Sequence, residues 1–236
     1  MNLAWAVTGA VLGVPAGTVL RDPVYRLSVP AGTPDQSTCP RCSAFLPGWL
    51  AVRCVHCRRV LGTPAGLEVS TAAVLALLLG RFGGEPEVAA FAFLGALGVT
   101  LAAIDVAVQR LPDRLTLPAI PVLIALLAVA ALIGHEGAAL LRAVLGGAAM
   151  AAFYLLLALL RPGQLGGGDV KLAALTGLAL GWLGWPALVA GAALGFLLAG
   201  LVSLALLAAR RVTLSSAISF GPCLLGGALL AMVSGH

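Results

Sequence analysis

Two groups of residues have the types and spacing to do chemistry. Cys39-Pro-Arg-Cys42 and Cys54-Val-His-Cys57 are Cys-x2-Cys pairs separated by eleven residues. In this arrangement two tight knuckles present four thiolates tetrahedrally to one ion. Four thiolates fill the shell and leave no position for a reacting water, so the expected ion is a structural Zn2+ held by Cys39, Cys42, Cys54 and Cys57. His56, inside the second pair, reads as a solvated spacer, and Cys223 as a small packing residue.

The second group is acidic. Asp105 ends the apolar run Leu101-Ala-Ala-Ile-Asp105, and Asp169 follows Gly166-Gly167-Gly168 at the start of another, whereas Glu85, Glu87 and Glu136 fall in turns. Ionisable residues in or beside apolar spans are costly enough to be functional hypotheses by default. Two close carboxylates share a proton near neutral pH, because both cannot ionise cheaply. The ionised member then takes a proton from an attacking water while the other donates to a peptide carbonyl. The glycines let backbone approach a substrate closely and tolerate unwound helix. Lys171 is placed to tune Asp169 or to contact an anionic ligand. Position alone leaves three readings open: catalysis, relay of protons or ions through Asp105 and Asp169, and carboxylates that snorkel or cap helix ends.

The elements that must position these residues are membrane helices. The 236 residues are 61% hydrophobic and 10% charged with mean hydropathy +1.07, against about 45–50% and about 25% for soluble domains. Too few charges exist to make a water-facing surface, which excludes a soluble domain and makes the bilayer the main partner. Net charge +5 then reports orientation rather than nucleic-acid binding. Apolar runs at 3–20, 67–80, 87–105, 117–134, 138–160, 170–184, 186–208 and 219–234 predict an all-α polytopic bundle. The second and sixth are short, so seven or eight spans are expected. The segments 21–66, 106–116, 161–171 and 209–218 carry all of the 14 cations except Arg81 and Arg142, which makes those segments cytoplasmic. Reducing conditions there favour a metal over disulfides. The first run lacks a preceding Lys or Arg and reads as a retained helix. The expected organisation is a first transmembrane helix at 1–20, a zinc-binding cytoplasmic insertion at 21–66 and a membrane bundle at 67–236. Gly9, Gly13 and Gly17, Gly177 with Gly181, and Gly191 with Gly195 are spaced four apart, the signature of close helix packing.

Several stretches, in order along the chain, resemble the prepilin peptidase family of membrane aspartic proteases. Gly166-Gly167-Gly168-Asp169-Val-Lys171 resembles its Gly-x-Gly-Asp motif with the following lysine. Asp105 with Leu111-Pro112-Asp113-Arg-Leu-Thr-Leu-Pro118 is similar to its first-aspartate motif and Pro-Asp loop. Gly17-Thr-Val-Leu-Arg-Asp-Pro-Val-Tyr-Arg26 is an altered form of an early family pattern, and Glu68 and Phe220-Gly221-Pro222 also match in character. The resemblance implies Asp105 and Asp169 as the catalytic pair, supported by Gly166, Gly168, Lys171 and Asp113. It further implies cleavage of the basic leader of type IV prepilins or pseudopilins at the cytoplasmic face of the bacterial inner membrane. Methylation of the new amino terminus with S-adenosylmethionine would follow. Two departures bear on methylation: the interval between the cysteine pairs is shorter than the family's usual one, and the asparagine and serine of the early pattern are replaced.

Rival readings are a proton- or ion-coupled transporter, which requires acids near mid-membrane, and a non-catalytic scaffold docking a partner through its zinc module. A signal-peptide or presenilin-like aspartic protease would share the acid chemistry without the cysteine module.

Overall fold

The computed structural model describes residues 1–30, 32–46, 53–61, 66–160, 165–210 and 219–234. Among them are eight helices and no strand: α1 (Leu3–Leu27), α2 (Gly66–Phe82), α3 (Val88–Val108), α4 (Asp113–Gly134), α5 (Gly137–Leu160), α6 (Gly167–Leu183), α7 (Trp185–Ala208) and α8 (Gly221–Ser234). Every expected apolar run falls on a helix. Helices are the required solution in lipid, because each backbone polar group must be satisfied within the segment. α1, α3, α4, α5 and α7 are long and apolar enough to cross a membrane. α2 and α6, at 17 residues, and α8, at 14, reach about 26 and about 21 Å at 1.5 Å per residue, short of a hydrocarbon core of about 30 Å.

Helix ends differ from the apolar runs in an instructive way. α1 continues past residue 20 to Leu27, through three charges that ended the hydropathy signal. Arg26 Nε donates to both carboxylate oxygens of Asp22 at 2.9 Å, one turn apart, and Arg21 Nε donates to Glu68 on α2. Pairing removes the penalty that would otherwise stop an apolar helix there. α3 likewise runs beyond Asp105 to Val108, and α4 begins at Asp113 rather than residue 117. Arg161 and Arg211, counted in the charge asymmetry, lie outside the described residues.

The chain divides into two units. The first comprises Met1–Gly83 and Gly95–Arg110. In it α1 packs along α2 with almost no gap: a side-chain carbon at Gly9, Gly13 or Gly17 would fall 2.3 Å from Leu75 O, 2.3 Å from Ala72 Cα or 2.6 Å from Glu68 Cα. The expected smooth face is therefore an α1–α2 contact. Gly95 of α3 faces the side chains of Leu78 and Val74 on α2 in the same manner.

The second unit comprises Gly84–Leu94 and Leu111–His236. α5 lies against α6, and α7 against α8, through the other expected glycines. Added carbons at Gly177 and Gly181 would meet Gly146 O at 2.7 Å and Arg142 O at 2.8 Å, and one at Gly227 would meet Gly195 N at 2.3 Å. Arg142, half-buried on α5, donates from Nε to Gly181 O at 2.9 Å and from Nη2 to Trp182 O at 2.6 Å. It thus satisfies carbonyls that the end of α6 leaves without helical partners.

Candidate active site and metal centre

The metal centre is built by two copies of one local structure. In the first knuckle Thr38 bridges to Phe45, Ser43 N donates to Cys39 O at 3.0 Å, and Ser43 takes a left-handed backbone, φ 56°. In the second Arg53 bridges to Val60, Arg58 N donates to Cys54 O at 2.9 Å, and Arg58 has φ 55°. Each turn reverses the chain within four residues of its first cysteine and so aims both thiols of its pair the same way. The four Sγ atoms lie within 4.8 Å of one another, with Cys39 to Cys57 at 3.5 Å and Cys42 to Cys54 at 3.6 Å. A Zn–S bond of about 2.3 Å gives a tetrahedron with S···S edges of about 3.8 Å, so this donor set fits zinc. His56 is exposed and outside the cluster.

Electrostatics within the cluster point the same way. Hydrogen bonds from the backbone N–H groups of Arg41 and Cys42 draw the Cys39 thiol down to about 6. For Cys42 the Ala44 N–H favours the thiolate, but burial and the neighbouring thiols of Cys54, Cys39 and Cys57 outweigh it and push the group up to about 11. One thiolate is welcome and a second beside it is not. A dication reverses that balance for all four.

The centre is tied to α1. Cys39, Leu46, Cys54 and Leu61 form a small buried core with Tyr25 packed against it. Tyr25 Oη donates to Thr38 O at 2.9 Å, and Arg26 Nη2 to Leu46 O at 3.3 Å. Asp22 and Arg26 are themselves buried, so the pair holds the knuckles to the helix while compensating its own desolvation.

Asp105 belongs to the first unit and Asp169 to the second. Asp105 is buried in the last full turn of α3, 5% exposed, and the following turn closes with Gln109 N donating to Asp105 O at 2.8 Å. Asp169 is half-buried in the first turn of α6. Its Oδ2 accepts from Gly166 N at 3.0 Å, so the carboxylate caps the helix it opens and sits at the positive end of the helix dipole.

The glycine run opens the helix. Gly167 and Gly168 are already helical, with Gly166 the capping residue, because Asp169 supplies the cap that lets the first turn form. Gly168 is required by packing, since a side-chain carbon there would lie 2.8 Å from Leu111 Cβ, whereas one at Gly167 would meet nothing within 4 Å. Lys171 is engaged by Asp113. Its Nζ donates to Asp113 Oδ1 at 2.5 Å, joining the first turn of α6 to the first residue of α4. Asp113 is consequently a helix N-terminal residue with a partner.

One residue gave no signal in the sequence. Tyr154 on α5 is fully buried, stacked on Phe196 at 5.6 Å and packed against Phe220 at 5.7 Å, and its hydroxyl has no hydrogen-bond partner among the described residues. Only its position within a long apolar run was visible, where a tyrosine reads as one more large hydrophobe.

A model of the type IV leader peptidase family matches residues 91–208, which span α3 from Phe91 through α7 and include both Asp105 and Asp169. Two proteins named prepilin leader peptidase/N-methyltransferase, from Burkholderia pseudomallei strains 1026b and K96243, are each 33% identical to this chain, covering 100% of it and 77% of their own length. No solved structure matches it. A match over half the chain, with full-length similarity to two such peptidases, settles the affiliation: the chain belongs to the type IV leader peptidase family.

Proposed function

We propose that the chain is an intramembrane aspartic endopeptidase that removes the basic leader of type IV prepilins or pseudopilins at the cytoplasmic face of the bacterial inner membrane, with Asp105 and Asp169 as its catalytic pair. The observation that carries this reading is the family match over residues 91–208, which contains both acids. Both also occupy ends of their helices, the last full turn of α3 and the first turn of α6. That placement suits a substrate arriving from one face and not a relay through mid-membrane.

In the proposed reaction one carboxylate of the pair is ionised and the other protonated. The ionised oxygen takes a proton from water as the water oxygen bonds to the scissile carbonyl carbon. The protonated carboxyl gives its proton to the carbonyl oxygen, which becomes the second hydroxyl of the tetrahedral intermediate. Collapse breaks the C–N bond: the amine leaves with the proton returned by the first carboxyl, and one hydroxyl of the intermediate gives its proton to the second carboxylate as the carbonyl re-forms, which restores the starting pair. Gly168 and the Lys171–Asp113 pair hold the start of α6, and with it Asp169, in place.

The four cysteinates hold a structural zinc ion in a cytoplasmic insertion at 21–66, between a first membrane helix and the peptidase bundle. S-adenosylmethionine, when bound, supplies an electrophilic methyl group for the amine that cleavage exposes; the names of the two relatives and the cysteine module support this second activity.

The test is cleavage of a purified prepilin-like substrate by wild type, Asp105→Asn and Asp169→Asn in lipid, with product masses read with and without S-adenosylmethionine. Loss of cleavage by at least about a thousandfold in both variants is expected, as for removing either member of a unit that acts together. Cleavage by either variant at the wild-type rate refutes the pair.

A further inference from the structure

α1 and α2 carry a charged pair that the cleavage reaction does not use. Arg21 Nε donates to Glu68 Oε1 at 2.5 Å, with side-chain exposures of only 12% and 11%. Among the described residues the second oxygen, Glu68 Oε2, is buried without a hydrogen-bond partner, as is Thr71 Oγ1 one turn further along α2. A buried polar atom left unsatisfied costs on the order of 1–3 kcal/mol, and more when it carries charge. Such an atom favours any donor able to reach it. Arg21 meanwhile fixes the carboxylate from one side and neutralises only part of its hydrogen-bonding capacity.

An open groove of about 500 Å³ runs beside the pair, lined by Val14, Arg21, Glu68, Val69 and Ala72. Val14 and Val69 are 49% and 68% exposed. A ligand matching these walls needs a positively charged N–H donor at one end and an apolar body at the other. Glu68 itself lines the groove, so a donor entering it approaches the carboxylate directly. Nucleotides and free phosphate suit neither the apolar walls nor the unpaired acceptor. An apolar helix that begins with a free α-ammonium suits both.

Cleavage of the kind proposed above generates that molecule at each turnover. We infer that the α1–α2 groove holds the processed substrate by its new amino terminus, the α-ammonium donating to Glu68 and the first apolar residues lying along Val14, Val69 and Ala72. The inference rests on the proposed peptidase reaction. It adds a product-holding site, separate from the two aspartates, that would keep the amine in place for a second reaction.

The experiment uses the full chain in phosphatidylcholine nanodiscs, whose headgroup has no N–H donor, and a fluorescent apolar helical peptide with either a free or an acetylated amino terminus. Wild type should bind the free-amine peptide at least about tenfold more tightly, the scale of one charge-assisted hydrogen bond. Glu68→Gln should bind the two alike, and Val69→Trp, on the exposed wall, should weaken both. Equal affinity of wild type for the two peptides overturns the inference, as does a free-amine preference that survives in a folded Glu68→Gln. If Glu68→Gln melts early, unchanged binding by Val69→Trp overturns it instead. Loss of the preference on adding a few mole per cent of phosphatidylethanolamine makes the groove a lipid site and also overturns it. Prepilin cleavage by the same wild-type preparation separates the two ideas: cleavage without discrimination sinks only the product site, and absence of cleavage sinks the peptidase reading on which it stands.

Discussion

Replacing Gly168 by alanine adds one carbon at a place where the structure has no room for it. That carbon would lie 2.8 Å from Leu111 Cβ, against an ordinary contact of 3.4 Å or more, so the start of α6 and Leu111 must separate by about 0.6 Å. Leu111 Cβ is attached to backbone just before Pro112 and Asp113 and cannot swing aside as a side-chain tip would. The next residue along α6 is Asp169, so the proposed catalytic carboxylate moves with the helix start. A misplacement of about 1 Å costs on the order of a hundredfold in rate, so about 0.6 Å is expected to lower kcat roughly tenfold with KM little changed. Overpacking costs about 1–3 kcal/mol, while alanine regains about 1 kcal/mol of helix propensity over glycine, leaving a net stability loss below about 2 kcal/mol. Gly167→Ala is the matched control, because its added carbon meets nothing within 4 Å. That variant should keep full activity and gain about 0.5–1 kcal/mol. Steady-state cleavage of a prepilin-like substrate and thermal melting in nanodiscs measure both. Equal activity of the two alanine variants would show that contact with Leu111 does not position Asp169.

Elemental analysis of the purified chain should find about one zinc per chain, lost on Cys54→Ser, with Tyr25 and the α1 end becoming protease-sensitive. Zinc binding to the metal-free protein at pH 7 should release protons, because Cys42, held up at about 11, enters protonated while Cys39, near 6, is mostly ionised already. Binding should therefore weaken as pH falls and thiolates are reprotonated, which calorimetry in buffers of different ionisation enthalpy reads directly. Arg142→Leu leaves Gly181 O and Trp182 O without the donors they now have, and a loss of about 1.5–3 kcal/mol is expected in thermal or denaturant melts. Tyr154→Phe removes a buried hydroxyl that has no partner and keeps the stack on Phe196, so stability should rise by about 1 kcal/mol. A fall would mean that the hydroxyl is satisfied in the bilayer.

What the sequence determined by itself was whatever depends on short-range order. Apolar runs located all eight helices, since lipid leaves the backbone no alternative to internal hydrogen bonding. The two Cys-x2-Cys pairs located the four-cysteine cluster, since each knuckle is a local turn that aims its thiols without help from the rest of the chain. Glycines four apart announced close helix contacts for the same reason, as a stripe on one helix is a property of that helix. Partners were not legible. Glu68 lies 47 residues from Arg21 and Asp113 lies 58 from Lys171, and no pattern of types or spacing links such residues before the helices pack. The helix runs past the apolar stretch for that reason: Arg21, Asp22 and Arg26 end a hydropathy signal, but once paired they do not end a helix. Gly166, Gly167 and Gly168 look interchangeable in the sequence. Only packing distinguishes the one that faces Leu111 from the one that faces nothing, because steric exclusion depends on the neighbour, and the neighbour comes from another helix.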